Sequence, residues 1–255
     1  MASEKNKVKR KARDENDDDR TKKKNKTTEP KPNVEPLRFF LDHFQAANGL
    51  HLSSIELESL KDTAILKLSN SQTTDTDLDV KFMASDVKAS FGDSWRKVLC
   101  ESEVVEGKIA AGSPSVLVVS YSALRSIHLL KGFRSVTKQC SSVKLFSKHI
   151  KLEEQISLLK NRVNIASGTP SRIKKLIDNE ALGLSRLKVL VLDIHPDVKG
   201  FSLFTLPQVS DEFWDLFKNY FYQPMIQGDL RICLYGPCKP AAGLKGKKGV
   251  HVPDE

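Results

Sequence analysis

The first 33 residues contain no aromatic side chain and almost no aliphatic one. Such a segment cannot bury enough apolar surface to offset the entropy of ordering it, so no folded N-terminus is expected. The chain also lacks any apolar run long enough to span a bilayer, and its start has none of the pattern of a secretory signal. A soluble, intracellular protein with no membrane partner is therefore predicted. Cysteine is sparse. Cys100, Cys140, Cys233 and Cys238 form no regular framework, and Cys233 and Cys238 are spaced too widely for a CxxC knuckle with no second pair present. Reduced thiols and no metal site are expected. One further absence bears on chemistry: no G-x-x-x-x-G-K-[ST] occurs. Gly107-Lys108 is followed by Ile109, and position 102 is Ser where the first Gly would stand. The stretch is also too close to the apolar run at Val116 to leave room for the helix that a phosphate loop opens. Without those amides and that lysine there is no cradle for a nucleotide, so neither a cofactor nor a small-molecule substrate is expected.

What the chain does have is basic charge, unevenly placed. The formal net charge is +9, and residues 1–35 hold twelve Lys or Arg against eight Asp or Glu. Residues 239–255 hold four against two, so the middle is close to balanced. Basic tails favour polyanions by releasing their counterions, which fits RNA, DNA and acidic proteins alike. Two basic clusters, Lys7, Lys9, Arg10, Lys11, Arg13 and Lys22, Lys23, Lys24, flank the acidic stretch Asp14 to Asp19. They resemble a bipartite nuclear-import signal.

Order is predicted from Leu37. Leu37, Phe40, Leu41 and Phe44 follow helical spacing, with Asn48-Gly49 as a stop. Phe39, Phe40 and Phe44 could serve the core or dock in a partner's groove. Ser53 or Ser54 suits the cap of a short helix holding Ile55, Leu57 and Leu60, residues 69–77 suggest a loop, and a further helix is placed over 78–90. From residue 115 short apolar runs alternate with amphipathic stretches. Strands are placed at 116–119, 143–146, 163–166, 189–192 and 232–234, and helices at 123–131, 152–159, 171–178 and 211–222. This alternation implies a parallel sheet covered on both faces, with ligand-binding loops along the edge where the strands end. The expected organisation is a disordered basic tail over 1–36, one α/β domain over 37–238 that includes a helical extension over 37–99, and a flexible basic tail over 239–255.

The most informative segment is Ile165-Ala166-Ser167-Gly168-Thr169-Pro170-Ser171-Arg172-Ile173. A strand ends, a turn follows, and Pro170 opens a helix where its missing N–H is not needed. Thr169 stands at the N-cap position. The amides of such a helix start can meet a phosphate, with Arg172 one turn in to hold it. The alternative is an ordinary cap and a surface arginine. Lys144, Lys148, His149 and Lys151 follow another strand, so they belong on the same edge, as a phosphate-binding loop or a merely solvated one.

Order and spacing over residues 115–237 resemble the first RecA-like lobe of DEAD-box RNA helicases. Ser122 stands for the Thr of that family's Pro-Thr-Arg-Glu-Leu-Ala turn, whose Arg becomes Ala123. Thr169, Pro170 and Arg172 match Thr-Pro-Gly-Arg. Asp193 keeps the magnesium-side acid of Asp-Glu-Ala-Asp, but Ile194 replaces the Glu and Pro196 the final Asp, with Asp197 one position late. Tyr235-Gly236-Pro237 replaces Ser-Ala-Thr, and too few residues follow 238 for a second lobe. The resemblance thus implies a three-layer RecA-like parallel sheet without ATP chemistry. Candidate RNA contacts are Ser122, Lys148, His149, Lys151, Thr169 and Arg172.

Leu52-Ser53-Ser54-Ile55-Glu56-Leu57, Lys144-Leu145-Phe146-Ser147-Lys148-His149-Ile150-Lys151 and Gly168-Thr169-Pro170-Ser171-Arg172-Ile173-Lys174 give a second resemblance, over residues 37–238. The chain is similar to the Cms-one ribosomal small-subunit family, linked to the 90S pre-ribosomal complex. This implies a non-enzymatic nucleolar protein in the nucleus, acting in pre-rRNA processing. Its implied partners are pre-rRNA or snoRNA and pre-ribosomal assembly factors. A protein–protein adaptor in a nuclear complex, without direct RNA contact, is the alternative.

Overall fold

The computed structural model describes residues 35–53, 60, 62–68, 76–101, 112–137 and 142–238. Six parallel strands form one sheet: β1 (Ile65–Leu66), β2 (Val116–Val119), β3 (Ser142–Leu145), β4 (Ile165–Gly168), β5 (Val189–Asp193) and β6 (Arg231–Tyr235). Their spatial order is β1-β6-β5-β2-β4-β3. The apolar runs are continuous because both faces are covered, as parallel sheets require. Leu117, Val119, Ala166, Leu190, Leu192, Ile232 and Leu234 face one layer. Val116, Val118, Ile165, Val189, Val191, Cys233 and Tyr235 face the other.

The direction of each crossover decides which helix lies where. From β1 to β2 and from β2 to β3 the chain steps one way along the sheet, carrying α2 (Thr76–Ala89), α3 (Ala123–Gly132) and the short α4 (Arg134–Thr137) onto one face. The later connections step the other way. A constant right-handed crossover then puts α5 (Leu152–Leu159), α6 (Pro170–Asp178), α7 (Val209–Leu216) and α8 (Tyr222–Ile226) on the opposite face. The expected three-layer arrangement is therefore present.

Part of the N-terminal extension packs into the sheet's core. Its first helix, α1 (Pro36–Asn48), starts one residue before the expected Leu37 and stops at Gly49 in the left-handed conformation, φ 61°. Phe39, Phe40 and Phe44 are buried, so they serve the core. Phe40 meets Phe217 edge-on at 5.0 Å between ring centroids, and Phe44 stacks on Tyr222 at 5.1 Å. Strand β1, which is only two residues long, has no legible alternation; it exists because Ile65 and Leu66 pair with Ile232 and Cys233 of β6.

Some boundaries differ from expectation. Strand β4 starts at Ile165, two residues after Val163, because the Asn164 carbonyl is held by the amides of Ser115 and Val116. The helix expected over 211–222 is instead α7, a π-turn over Phe217–Phe221, and α8. Pro224 in α8 has no N–H to donate and crowds the preceding turn, which accounts for the break. Helix α2 begins at Thr76, inside the expected loop over 69–77. Cys100 is disulfide-bonded, against the expectation of reduced thiols, whereas Cys233 and Cys238 are free. The import-signal residues Lys7 to Lys24, the expected tail 239–255 and most of the short helix after Ser53 lie outside the described residues. No helix among the described residues is long and apolar enough to cross a membrane.

Candidate nucleic-acid interface at the strand ends

The turns after β5, β2, β4 and β3 lie side by side on one edge, because those strands are neighbours and all run the same way. After β2, Ser120 is buried and its Oγ lies 2.7 Å from that of Ser126 on α3. Ser122 caps α3 in an extended conformation, and its Oγ accepts the amide of Arg125 at 3.3 Å. The hydroxyl expected to meet RNA is thus already engaged as a cap, an ordinary use of Ser at this position.

After β4, Gly168 passes so close to β3 that a Cβ would stand 2.1 Å from the Leu145 carbonyl oxygen. Only glycine fits, and the approach lets the Thr169 amide donate to that carbonyl at 3.0 Å. Thr169 is half-buried, and its side chain makes no capping bond to α6. Arg172 turns away from the helix start. Its Nη1 donates to Gln155 Oε1 at 2.8 Å and, more weakly, to the Ile150 carbonyl at 3.4 Å. Gln155 is fully buried, and its amide nitrogen donates to the carbonyls of Lys144 and Phe146 at 2.8 and 3.0 Å. Those carbonyls lie on the outer side of edge strand β3, so Gln155 satisfies groups that would otherwise be orphaned.

This network ties the β4 turn to the loop after β3, which carries Lys148, His149 and Lys151. All three are exposed. His149 has φ 61°, and Lys151 directs its amide to Glu154 Oε2 at 3.3 Å. The loop is therefore shaped by its backbone and by Arg172, while its basic side chains point to solvent. Sequence spacing brings Thr169 and Arg172 to the correct edge but assigns Arg172 to a phosphate when part of its guanidinium braces the protein.

The main residue that sequence reasoning misses is Arg125. Its Nε and Nη2 each donate to one oxygen of Asp193 at 2.8 Å, a two-point fork across the ends of β2 and β5. The Asp193 side chain is fully buried and that of Arg125 is 18% exposed. Burial alone would push the Asp193 carboxyl up. The Arg125 hydrogen bonds, with His195 whose Nδ1 lies 3.4 Å away, outweigh it and hold the carboxyl below the usual range. Arg125 is correspondingly raised: burial opposes its charge, but Asp193 more than compensates. His195 packs on Tyr235 at 4.5 Å between ring centroids, and a Cβ on Gly236 would stand 2.8 Å from the His195 amide nitrogen. A signal for Arg125 exists in the sequence. A cation in the first turn of a helix opposes the helix dipole and calls for a nearby carboxylate, and Asp193 ends the adjacent strand.

This geometry tests the magnesium nucleotide that the helicase resemblance would bring. The acid kept for a metal has both oxygens occupied by a guanidinium fork, and the Glu and final Asp of the motif are Ile194 and Pro196. The residues do not fit a hydrated divalent cation, which needs free carboxylate oxygen and open coordination positions.

Fold and site together define a class: a three-layer parallel-sheet α/β protein whose strand-end acid is neutralised internally. A family model described as "U3-containing 90S pre-ribosomal complex subunit" matches residues 2–235. The chain belongs to that family, CMS1. Human Protein CMSS1 is 31% identical over 196 residues, 75% of this chain and 64% of that protein. The chain spans about half to two thirds of the length of the frog and human relatives it matches. Mouse ATP-dependent RNA helicase DDX50 is 35% identical over 81 residues, 32% of this chain and 11% of the helicase. A solved Saccharomyces cerevisiae Dbp5 chain aligns with 83% of this chain and 48% of its own at 15% identity and a TM-score of 0.44.

Proposed function

We propose that this chain is a non-catalytic, RNA-associated assembly factor of the small ribosomal subunit. It would work in the nucleolus within the 90S pre-ribosome, with pre-rRNA or snoRNA and assembly factors as partners. The observation that carries this reading is the Arg125–Asp193 fork. It closes the acid a nucleotide's metal would need, while the loop after β3 keeps exposed cations at Lys148 and Lys151, with the His149 imidazole between them. Membership in a family described by the 90S complex supplies the setting. Phosphate contacts of this type position RNA without reading its sequence. Arg172 acts here by bracing the basic loop, and Thr169 and Ser122 shape the adjacent turns.

The test uses the full chain and a fluorescent single-stranded RNA over a salt series. Lys148→Glu with Lys151→Glu should weaken binding and lower the log–log salt slope by about 1.4, at roughly 0.7 for each phosphate no longer neutralised. Unchanged affinity and slope would favour the protein–protein adaptor instead. Titration with ATP and magnesium should give no saturable heat at millimolar nucleotide.

A further inference from the structure

The opposite edge of the sheet, where the strands begin, carries a second charged feature. Helix α2 ends there, and a turn with a short 3-10 segment at Gly92–Ser94 leads into Arg96–Glu101. The run Lys88-Ala89-Ser90-Phe91-Gly92-Asp93-Ser94-Trp95-Arg96-Lys97 places two rings among three cations. Lys88 Nζ stands 4.5 Å from the centre of the half-buried Trp95 ring, and the Arg96 guanidinium 5.4 Å from it. Arg231, the first residue of β6, lies 5.1 Å from the Phe91 ring, and its Nη1 donates to the Ser90 carbonyl at 3.0 Å. Arg96 and Lys97 are exposed.

The manner of fixing matters. A ring holds a cation by its quadrupole and leaves the full positive charge in place. A carboxylate, as at Arg125, cancels it. Lys88, Arg96 and Arg231 are held against rings, and neither they nor the exposed Lys97 make a salt bridge among the described residues, so their charge is not cancelled there. The acids nearby are Asp93, exposed on the same turn, and Asp86, one turn back on α2. A cleft of about 310 Å³ adjoins the turn, lined by Lys67, Asp86, Ser90 and Arg231 among others. That is at the small end for ligand sites.

We infer that the Lys88–Lys97 turn with Arg231 is a second binding surface, and that its ligand is single-stranded RNA. Rings set beside cations that keep their charge suit a strand that offers both phosphates and planar base faces, whereas an acidic peptide would use the charge alone. The surface does not involve the strand-end loops, so each proposal can fail without the other.

The experiment uses the full chain and a fluorescent uridine-rich 20-mer. Lys88→Glu, Arg96→Glu and Lys97→Glu together should weaken binding at least tenfold at moderate salt and lower the salt slope by about 2. Trp95→Leu keeps every charge but frees two of the cations and removes a stacking face, so a loss of about fivefold or more is expected, the scale of one base–aromatic stack. Photo-crosslinking to 4-thiouridine RNA should mark the peptide holding Phe91 and Trp95, a readout that a folding defect cannot imitate. Unchanged affinity and slope in the triple variant, with no crosslink in that peptide, would overturn the inference. So would a triple variant that binds RNA normally but no longer joins nuclease-treated pre-ribosomes, since the surface would then serve a protein.

Discussion

Replacing Arg125 by Gln should destabilise the protein and reverse the pH dependence of its stability at acid pH. In the parent, the Asp193 carboxyl is held below its usual value although it is buried, because the fork outweighs desolvation. A group with a depressed folded pKa contributes stability that is present above its unfolded pKa, near 4, and is lost as pH falls through the folded value. The parent should therefore lose stability as pH drops below about 4. In Arg125→Gln the buried carboxylate loses its counter-charge, at a cost of about 3–5 kcal/mol. Because Arg125 is 18% exposed at its side chain, the lower end of that range is the better expectation. For a domain of about 200 residues, each kcal/mol moves Tm by about 2–4 °C, so a fall of roughly 6–12 °C follows. With desolvation now dominant, the Asp193 pKa rises above its unfolded value, and acidification from pH 7 toward 4 should recover part of the loss. Urea unfolding at several pH values reads both effects, and Asp193→Asn added to Arg125→Gln should restore stability relative to the single variant. A loss below 1 kcal/mol, with the parent's pH profile retained, would show that the fork does not hold the Asp193 carboxylate charged.

Other outcomes follow from the packing. Phe40 is fully buried against Phe204, Trp214 and Phe217, so Phe40→Ala should cost about 3–5 kcal/mol in denaturant unfolding. If Phe40 were instead a docking residue, stability would hold and only partner binding would fall. Gln155→Leu leaves two edge carbonyls without this donor and Arg172 with only its weaker bond to the Ile150 carbonyl, and should cost about 1–3 kcal/mol, with faster amide exchange in residues 145–151. Arg172→Ala should show the same local exchange with a smaller global loss.

The fold is legible in the sequence where period and length speak together. Val189 to Leu192 can only be a buried strand, and Leu152 to Leu159 keeps a single apolar stripe, so both fall within a residue of their observed places. The segment before residue 100 is harder. Ile65–Leu66 is a strand only because β6 offers it an edge, which no local pattern encodes. Pro224 breaks the long aromatic helix, and its effect is masked because the apolar spacing runs through it. At the site, motif positions find the right edge but not the side-chain commitments. Arg172 and Ser122 carry residue types that suit phosphate, yet Arg172 is engaged by Gln155, which becomes adjacent only once β3 and β4 align, and Ser122 is taken by the Arg125 amide three residues on, as an ordinary N-cap. Arg125 and Asp193 are 68 residues apart in sequence, and their pairing requires knowing that β2 and β5 are neighbours.

The most direct test of the central claim is crosslinking of the full chain to RNA in cells, with sequencing of the bound RNA and mapping of the crosslinked peptides. Pre-rRNA or snoRNA is expected among the bound sequences, with crosslinks in residues 147–172. Pre-ribosomal partners that all survive nuclease treatment, with no RNA crosslink anywhere on the domain, would contradict that claim.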